Sequence, residues 1–166
     1  MTFLVFLSKR REKEYNIRVG RNDMKTTRNI TFVALFTAFL CVLAPLSIPI
    51  QPVPITLATL AVYVIGALLD YKRAPICVFL YIVIGALGLP VFSNYSGGIA
   101  KLLSPTGGFI IGYLFGVLAQ SLLTTWKKDK FYIYPIAMVA STILIYAFGV
   151  VWFILVYLQK GETKSL

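Results

Sequence analysis

The stretch YIVIGALGLPVFSNYSGGIAKLLSPTGGFIIG, residues 81–112, holds the features that decide the fold. An apolar helix breaks at Gly88-Leu89-Pro90, a polar Gly-rich loop follows, and Ser104-Pro105-Thr106-Gly107-Gly108 opens a second apolar helix. Pro cannot continue a helix interior, and Ser-Pro is a common way to begin one. A polar loop with a lone Lys101 between two apolar segments is the place where a solute would dock.

The rest of the chain sets the class. Of 166 residues, 58% are hydrophobic and 13% charged, and mean hydropathy is +0.82. Such a composition belongs to a polytopic membrane protein, all-α, rather than to a soluble domain. There is no histidine, the acids number six, and the two cysteines, Cys41 and Cys77, sit inside apolar runs. A metal cluster, a disulfide framework or a charge-relay site has almost nothing to be built from. No cofactor is expected, and an enzyme would need titratable groups at membrane depth that the apolar segments do not carry.

Five apolar segments follow from the pattern, about 30–46, 55–69, 76–89, 108–126 and 133–157, each bounded by charges, Pro or Gly. Together they make residues 24–159 a membrane domain, with 1–23 as an N-terminal extension and 160–166 as a short polar tail. With the N-terminus placed in the cytoplasm, thirteen of the 16 Lys and Arg fall inside, leaving Lys101, Lys160 and Lys164 outside. This positive-inside bias sends the loop of residues 88–106 outward and accounts for the net charge of +10 without a nucleic-acid partner.

At about 1.5 Å per residue the second and third segments reach only about 20–23 Å, short of a hydrocarbon core of about 30 Å. Two readings stand: tilted neighbours with loose boundaries, or helices that end inside the protein beside a cavity. The connector Ser47-Ile-Pro-Ile-Gln-Pro-Val-Pro-Ile-Thr56 cannot be helical with Pro49, Pro52 and Pro54 in it and is expected to be extended. Thr56 and Thr59 are expected three apart on the next helix, either facing a ligand or bonding back to their own helix. Gln51 is interfacial or a ligand contact.

The order of these pieces resembles the BioY family. The resemblance runs from about Met24 to Tyr157 and rests on IPIQPVPITLATLAVYVIGALLD, YIVIGALGLPVF, and SGG followed by SPTGGFIIGYLFG. It implies the biotin-specific substrate-binding (S) component of an energy-coupling factor (ECF) vitamin transporter. Such a protein is a bundle of six membrane helices that captures biotin from outside. It works with a transmembrane coupling subunit and two ATPase subunits, and has no catalytic site of its own. The lack of any G-x-x-x-x-G-K phosphate loop in this chain agrees with that division of labour.

Biotin needs partners for a flat ureido ring, an apolar slot for its second ring and chain, and a counterpart for its carboxylate. Asn94 and Ser96 in the loop, with Thr56, are the expected polar contacts, and a solvated turn is the alternative for the loop pair. The carboxylate has two candidates. One is Lys101, which otherwise snorkels to the interface. The other is the N–H groups of the helix start at Thr106, Gly107 and Gly108. Slot walls are expected from Tyr81, Tyr113, Tyr146 or Trp152, the last two within a Y-x-x-G-x-x-W resembling the family's fifth helix. Ala34 and Ala38, four apart on the first helix, either pack within the chain or, as the resemblance implies, form the docking face for the coupling subunit.

Departures from the family pattern bear on function. Ala58 stands where Gln is common after PVPITL, and Asn94 and Tyr95 replace commoner glycines. Five segments stand against six in the family, whose last helix begins with a P-F-x-x-G-D-x-x-K type motif. Residues 1–23 read either as a start called too early or as a basic arm attracted to anionic lipid. The alternatives to a biotin S component are a truncated, non-transporting form of one and an S component for another small vitamin.

Overall fold

The structure, a computed structural model, describes residues 26–48, 55–126 and 132–162. Gln51 with its three neighbouring prolines, the 1–23 extension, the Lys127–Lys130 run and residues 163–166 lie outside them. Helix α1 (Thr26–Leu43) leads to a two-stranded antiparallel ribbon, β1 (Ser47–Ile48) and β2 (Ile55–Thr56). Helices α2 (Ala58–Leu68) and α3 (Ala74–Ala86) follow. The next loop folds into a 3-10 turn (Ser93–Tyr95) and one turn of helix, α4 (Ile99–Leu102). Then come α5 (Gly107–Trp126) and α6 (Ile133–Glu162).

The five expected segments are α1, α2, α3, α5 and α6, a membrane helix bundle. Three of them, α1, α5 and α6, are long and apolar enough to cross a bilayer. With 11 and 13 residues, α2 and α3 reach only about 16 and 20 Å. Their ends are set by identifiable chemistry. The start of α2 is held by the ribbon, where Ser47 pairs with Thr56 and the Leu57 N–H donates to the Leu46 carbonyl at 3.1 Å. Thr56 is therefore a strand residue, not the first of two helical threonines, because its pairing with Ser47 holds it in the ribbon. α3 begins with Pro75 in its first turn and ends before Gly88, whose φ of +101° suits glycine and stops the helix. α6 runs on to Glu162, past the expected Tyr157 and into the tail assigned to 160–166.

In its most apolar stretch α5 is 56% buried, against 11% for α1 and 17% for α6, so α5 is the central helix. Its face toward α6 carries Gly108, Gly112 and Gly116, one per turn. A Cβ on Gly116 would lie 2.6 Å from Ile145, and one on Gly112 would lie 3.0 Å from the Ile145 carbonyl. In lipid the hydrophobic effect does not drive helices together, so close backbone approach and polar contacts must do it. The polar contacts lie toward the far end of α5. Gln120 Nε2 donates to the Tyr63 carbonyl at 2.8 Å, and Thr124 Oγ1 donates to the Gly66 carbonyl at 3.1 Å, tying α5 to α2.

On α1 the inward face is Thr37, Leu40 and, just past its end, Ala44, while Ala34 and Ala38 are exposed. Among the described residues, nothing covers this alanine pair. The loop between α2 and α3 is anchored by Arg73, which pairs with Asp70 and donates to Asn29 Oδ1 of α1 at 3.1 Å.

Candidate functional site

Beneath the loop between α3 and α5 lies a cavity of about 420 Å³, within the range of small-molecule sites, about 300–1,000 Å³. Its lining comes from every layer of the bundle. Ala44 follows α1, Thr56 ends the ribbon, Ala58 and Thr59 open α2, and Tyr81 comes from α3. Ser93 and Thr106 come from the loop, Phe109, Ile110 and Tyr113 from α5, and Ile145 and Tyr146 from α6. The short α2 starts at the cavity instead of crossing the bundle, which is the second of the two readings of its length.

Hydroxyls concentrate at the ribbon side. Tyr113 Oη lies 3.3 Å from Thr56 Oγ1, a hydrogen bond that joins α5 to the ribbon. Tyr81, 1% exposed, also lines the cavity, and its ring meets that of Phe92 edge-on, centroids 5.4 Å apart and planes at 84°. Phe109 and Tyr146, both on the lining, form a second edge-on pair at 5.9 Å. Ala58 contributes only a methyl group, so the wall at α2 is apolar at that point and polar at Thr56 and Thr59.

The loop is not a free polar turn. Phe92 is fully buried and plugs the space over Gly85, where a Cβ would stand 2.1 Å from its ring. The Phe92 N–H donates to the Ser96 carbonyl at 2.9 Å, and the Gly98 N–H donates to the Gly85 carbonyl at 2.7 Å. With Phe92 held inward, Ser93 faces the cavity. Asn94 and Tyr95 adopt φ of 58° and 53°, left-handed values, and are exposed. The chain therefore turns away from the cavity after Ser93.

Of the eight expected ligand contacts, Thr56, Tyr81, Thr106 and Tyr146 converge on the cavity, and Asn94, Ser96, Lys101 and Trp152 are not on its lining. Asn94 is engaged with Ser47, accepting from Ser47 Oγ at Oδ1 (2.8 Å) and donating its N–H to the same oxygen (3.1 Å). Ser96 Oγ donates to the Ser93 carbonyl at 2.6 Å, closing the 3-10 turn. Lys101 sits in α4, half-buried, with its carbonyl accepting from Ser104 Oγ at 2.6 Å. Trp152 Nε1 donates to the Ser104 carbonyl at 3.1 Å and its side chain packs where Gly108 lacks one. It clamps the start of α5 to α6. The Gly107 N–H, expected to be free for an anion, also donates to the Ser104 carbonyl, at 2.9 Å.

Sequence reasoning passed over Ser93, because Asn94 beside it has the richer side chain and the backbone handedness that separates them is not written in residue type. Phe109, Ile110 and Ile145 were missed as ordinary apolar helix residues. The spacing of Thr106, Phe109, Tyr113 along one face of α5 was the available signal.

A bundle of membrane helices, with a hydroxyl-lined cavity under an ordered loop at one end, defines a membrane protein built to hold a small solute. The sequence profile described as "BioY family" matches residues 13–165, and the chain belongs to that family. It is 40% identical over 123 residues to the biotin transporter BioY of Thermotoga maritima, covering 74% of this chain and 72% of that protein. It is 33% identical to the BioY of Rhizobium etli, over 76% of this chain and 74% of the relative. Its fold is similar to the crystal structure of the S component for biotin from an ECF-type ABC transporter. The TM-score is 0.72 at 29% identity, covering 78% of this chain and 72% of that one.

Proposed function

We propose that this chain is the substrate-binding membrane component of a biotin uptake transporter. It captures biotin on the outer face, in the cavity beneath the loop of residues 88–106. The observation that carries the reading is the cavity itself. Hydroxyls of Thr56, Thr59, Tyr81 and Tyr113 are gathered against an apolar wall of Phe109, Ile110 and Ile145. A ureido ring offers two N–H donors and a carbonyl acceptor, and neutral hydroxyls can satisfy both kinds, because each donates and accepts. The second ring and chain fit the apolar wall.

Family membership and the biotin-named relatives support the same ligand. Thr106 and Tyr146 are proposed to border the ligand's chain, and Ser93 to close over it. The charge bias of the loops supports a cytoplasmic N-terminus in the cell membrane. The chain carries no chemistry of its own in this reading. Energy comes from an ECF coupling subunit and two ATPases, with the exposed Ala34–Ala38 face of α1 as the proposed docking surface.

Detergent-purified protein is expected to bind radiolabelled biotin without ATP, in competition with unlabelled biotin. Retention equal to that of membranes lacking the protein would overturn the assignment and favour the non-transporting alternative.

A further inference from the structure

The end of the bundle away from the cavity gathers positive charge where α1 meets the turn between α2 and α3. Among the described residues this corner carries Arg28, Lys72 and Arg73 against a single acid, Asp70. Arg73 pairs with Asp70 and donates to Asn29 Oδ1 at 3.1 Å, which fixes the turn against α1. Arg28 and Lys72 each stand next in sequence to a residue of that joined pair. Both are exposed, and among the described residues neither forms an ion pair. Lys72 Nζ stands 5.7 Å from the centre of the Tyr71 ring.

Aromatic residues give the depth of this corner. Tyr71, Trp126 and Tyr132, at the adjoining ends of α2, α5 and α6, are all exposed. Tyr and Trp collect where hydrocarbon meets headgroups, so the cations beside them lie at headgroup height. Just inside them, Ile30 of α1 and Ile76 of α3 are exposed apolar side chains. The two helices are joined along this side, with Cys77 Sγ donating to the Val33 carbonyl at 3.6 Å and Thr37 Oγ1 to the Cys77 carbonyl at 3.4 Å. An anion at Arg28 and Lys72 therefore has an apolar surface directly beneath it. A soluble anion has no use for that surface, whereas a phospholipid uses both parts, its head on the cations and its chains on Ile30 and Ile76.

We propose that this corner is a binding site for the headgroup of an anionic phospholipid. Arg28 and Lys72 hold the head, and Arg73 keeps the two elements that carry them together. Net charge is what the site selects. Phosphatidylglycerol keeps the charge of its phosphate, whereas the ammonium of phosphatidylcholine cancels it. The proposal does not depend on what the cavity holds.

Native mass spectrometry of the delipidated full chain in detergent, given equal amounts of the two lipids, counts the copies of each that are retained. A Lys or Arg near an anionic lipid surface is worth about fivefold in binding. Phosphatidylglycerol is therefore expected to be retained about tenfold or more over phosphatidylcholine. Arg28→Gln combined with Lys72→Gln should bring the two lipids within about twofold, and the charge-keeping pair Arg28→Lys with Lys72→Arg should preserve the preference. Lys101→Gln, on the loop at the other end of the bundle, should leave it unchanged. Equal retention of the two lipids by the parent would overturn the proposal and leave the corner to solvent or to an acidic protein surface. A preference that survives the double Gln variant, or that falls as far in Lys101→Gln, would also overturn it, because the attraction would then be spread over a chain of net charge +10. If the double variant aggregates on size exclusion, Lys72→Gln alone is expected to lose about fivefold, and no loss there overturns the proposal.

Discussion

Truncating Phe92 to Ala should empty the plug that holds the loop over the cavity and weaken biotin binding far more than it weakens the fold. The ring is fully buried, packs edge-on against Tyr81 at 5.4 Å, and occupies the space left by the missing side chain of Gly85. Loss of a buried Phe costs about 3–5 kcal/mol where the alternative environment is water, as it is for a loop that connects two membrane helices. An aromatic pair accounts for about 0.5–1.5 kcal/mol of that.

Against this stand two backbone bonds, Phe92 N–H to Ser96 and Gly98 N–H to Gly85, each worth about 0.5–1.5 kcal/mol net. The first lies within the loop and survives undocking, so resistance comes from the second and from the two Asn94–Ser47 bonds that tie the loop to the ribbon. A docked loop that loses about 3 kcal/mol becomes the minor state, and the apparent affinity falls with its population, by up to about a hundredfold. Gly85→Ala tests the same contact from the other side, since its Cβ would stand 2.1 Å from the ring and expel it. Biotin titration of both variants, with size-exclusion profiles and unfolding temperatures in parallel, reads the effect. Affinities within twofold of the parent in both well-folded variants would refute the idea that loop docking builds the site.

Other outcomes follow from the same geometry. Tyr113→Phe deletes one partner of the Thr56 bond on the cavity lining and should weaken biotin roughly three- to tenfold, with unfolding nearly unchanged. Trp152→Phe keeps the ring but loses the bond to Ser104; a loss of about 1 kcal/mol is expected in thermal unfolding, and no change would show that ring packing alone holds α5 to α6. Gly116→Val should prevent folding, seen as aggregation on size exclusion, because its Cβ would lie 2.6 Å from Ile145 on the backbone-close face of α6. Ala34→Trp, on the exposed face of α1, should leave biotin binding intact and abolish ATP-driven uptake in cells that supply the ECF subunits. Unimpaired uptake would remove that face from the docking surface.

The sequence by itself determined the membrane class, the five apolar helices, the breaks at Pro and Gly, and the family. The first three follow from composition, from periodicity, or from residues whose backbone preferences are local, and the family from the resemblance of its ordered motifs; such signals survive in a linear string. Tyr81, Thr106 and Tyr146 were legible as candidates for the cavity lining because a polar or amphipathic group among apolar helices has few other uses in lipid. What tertiary structure alone decided is which of two neighbouring residues faces inward. Ser93 rather than Asn94 meets the cavity because Phe92 is drawn into the gap over Gly85, and because two left-handed residues then turn the chain outward.

The same holds for donors. Trp152 and the Gly107 N–H look available in sequence, yet both converge on one carbonyl of Ser104, a pairing made by residues 48 positions apart in the first case and three apart in the second. Thr56 became a strand residue because its partner Ser47 lies across a connector whose prolines exclude a helix. A hydrogen bond is a property of two groups in space, and whether a polar side chain is free for a ligand depends on partners that sequence order does not bring together.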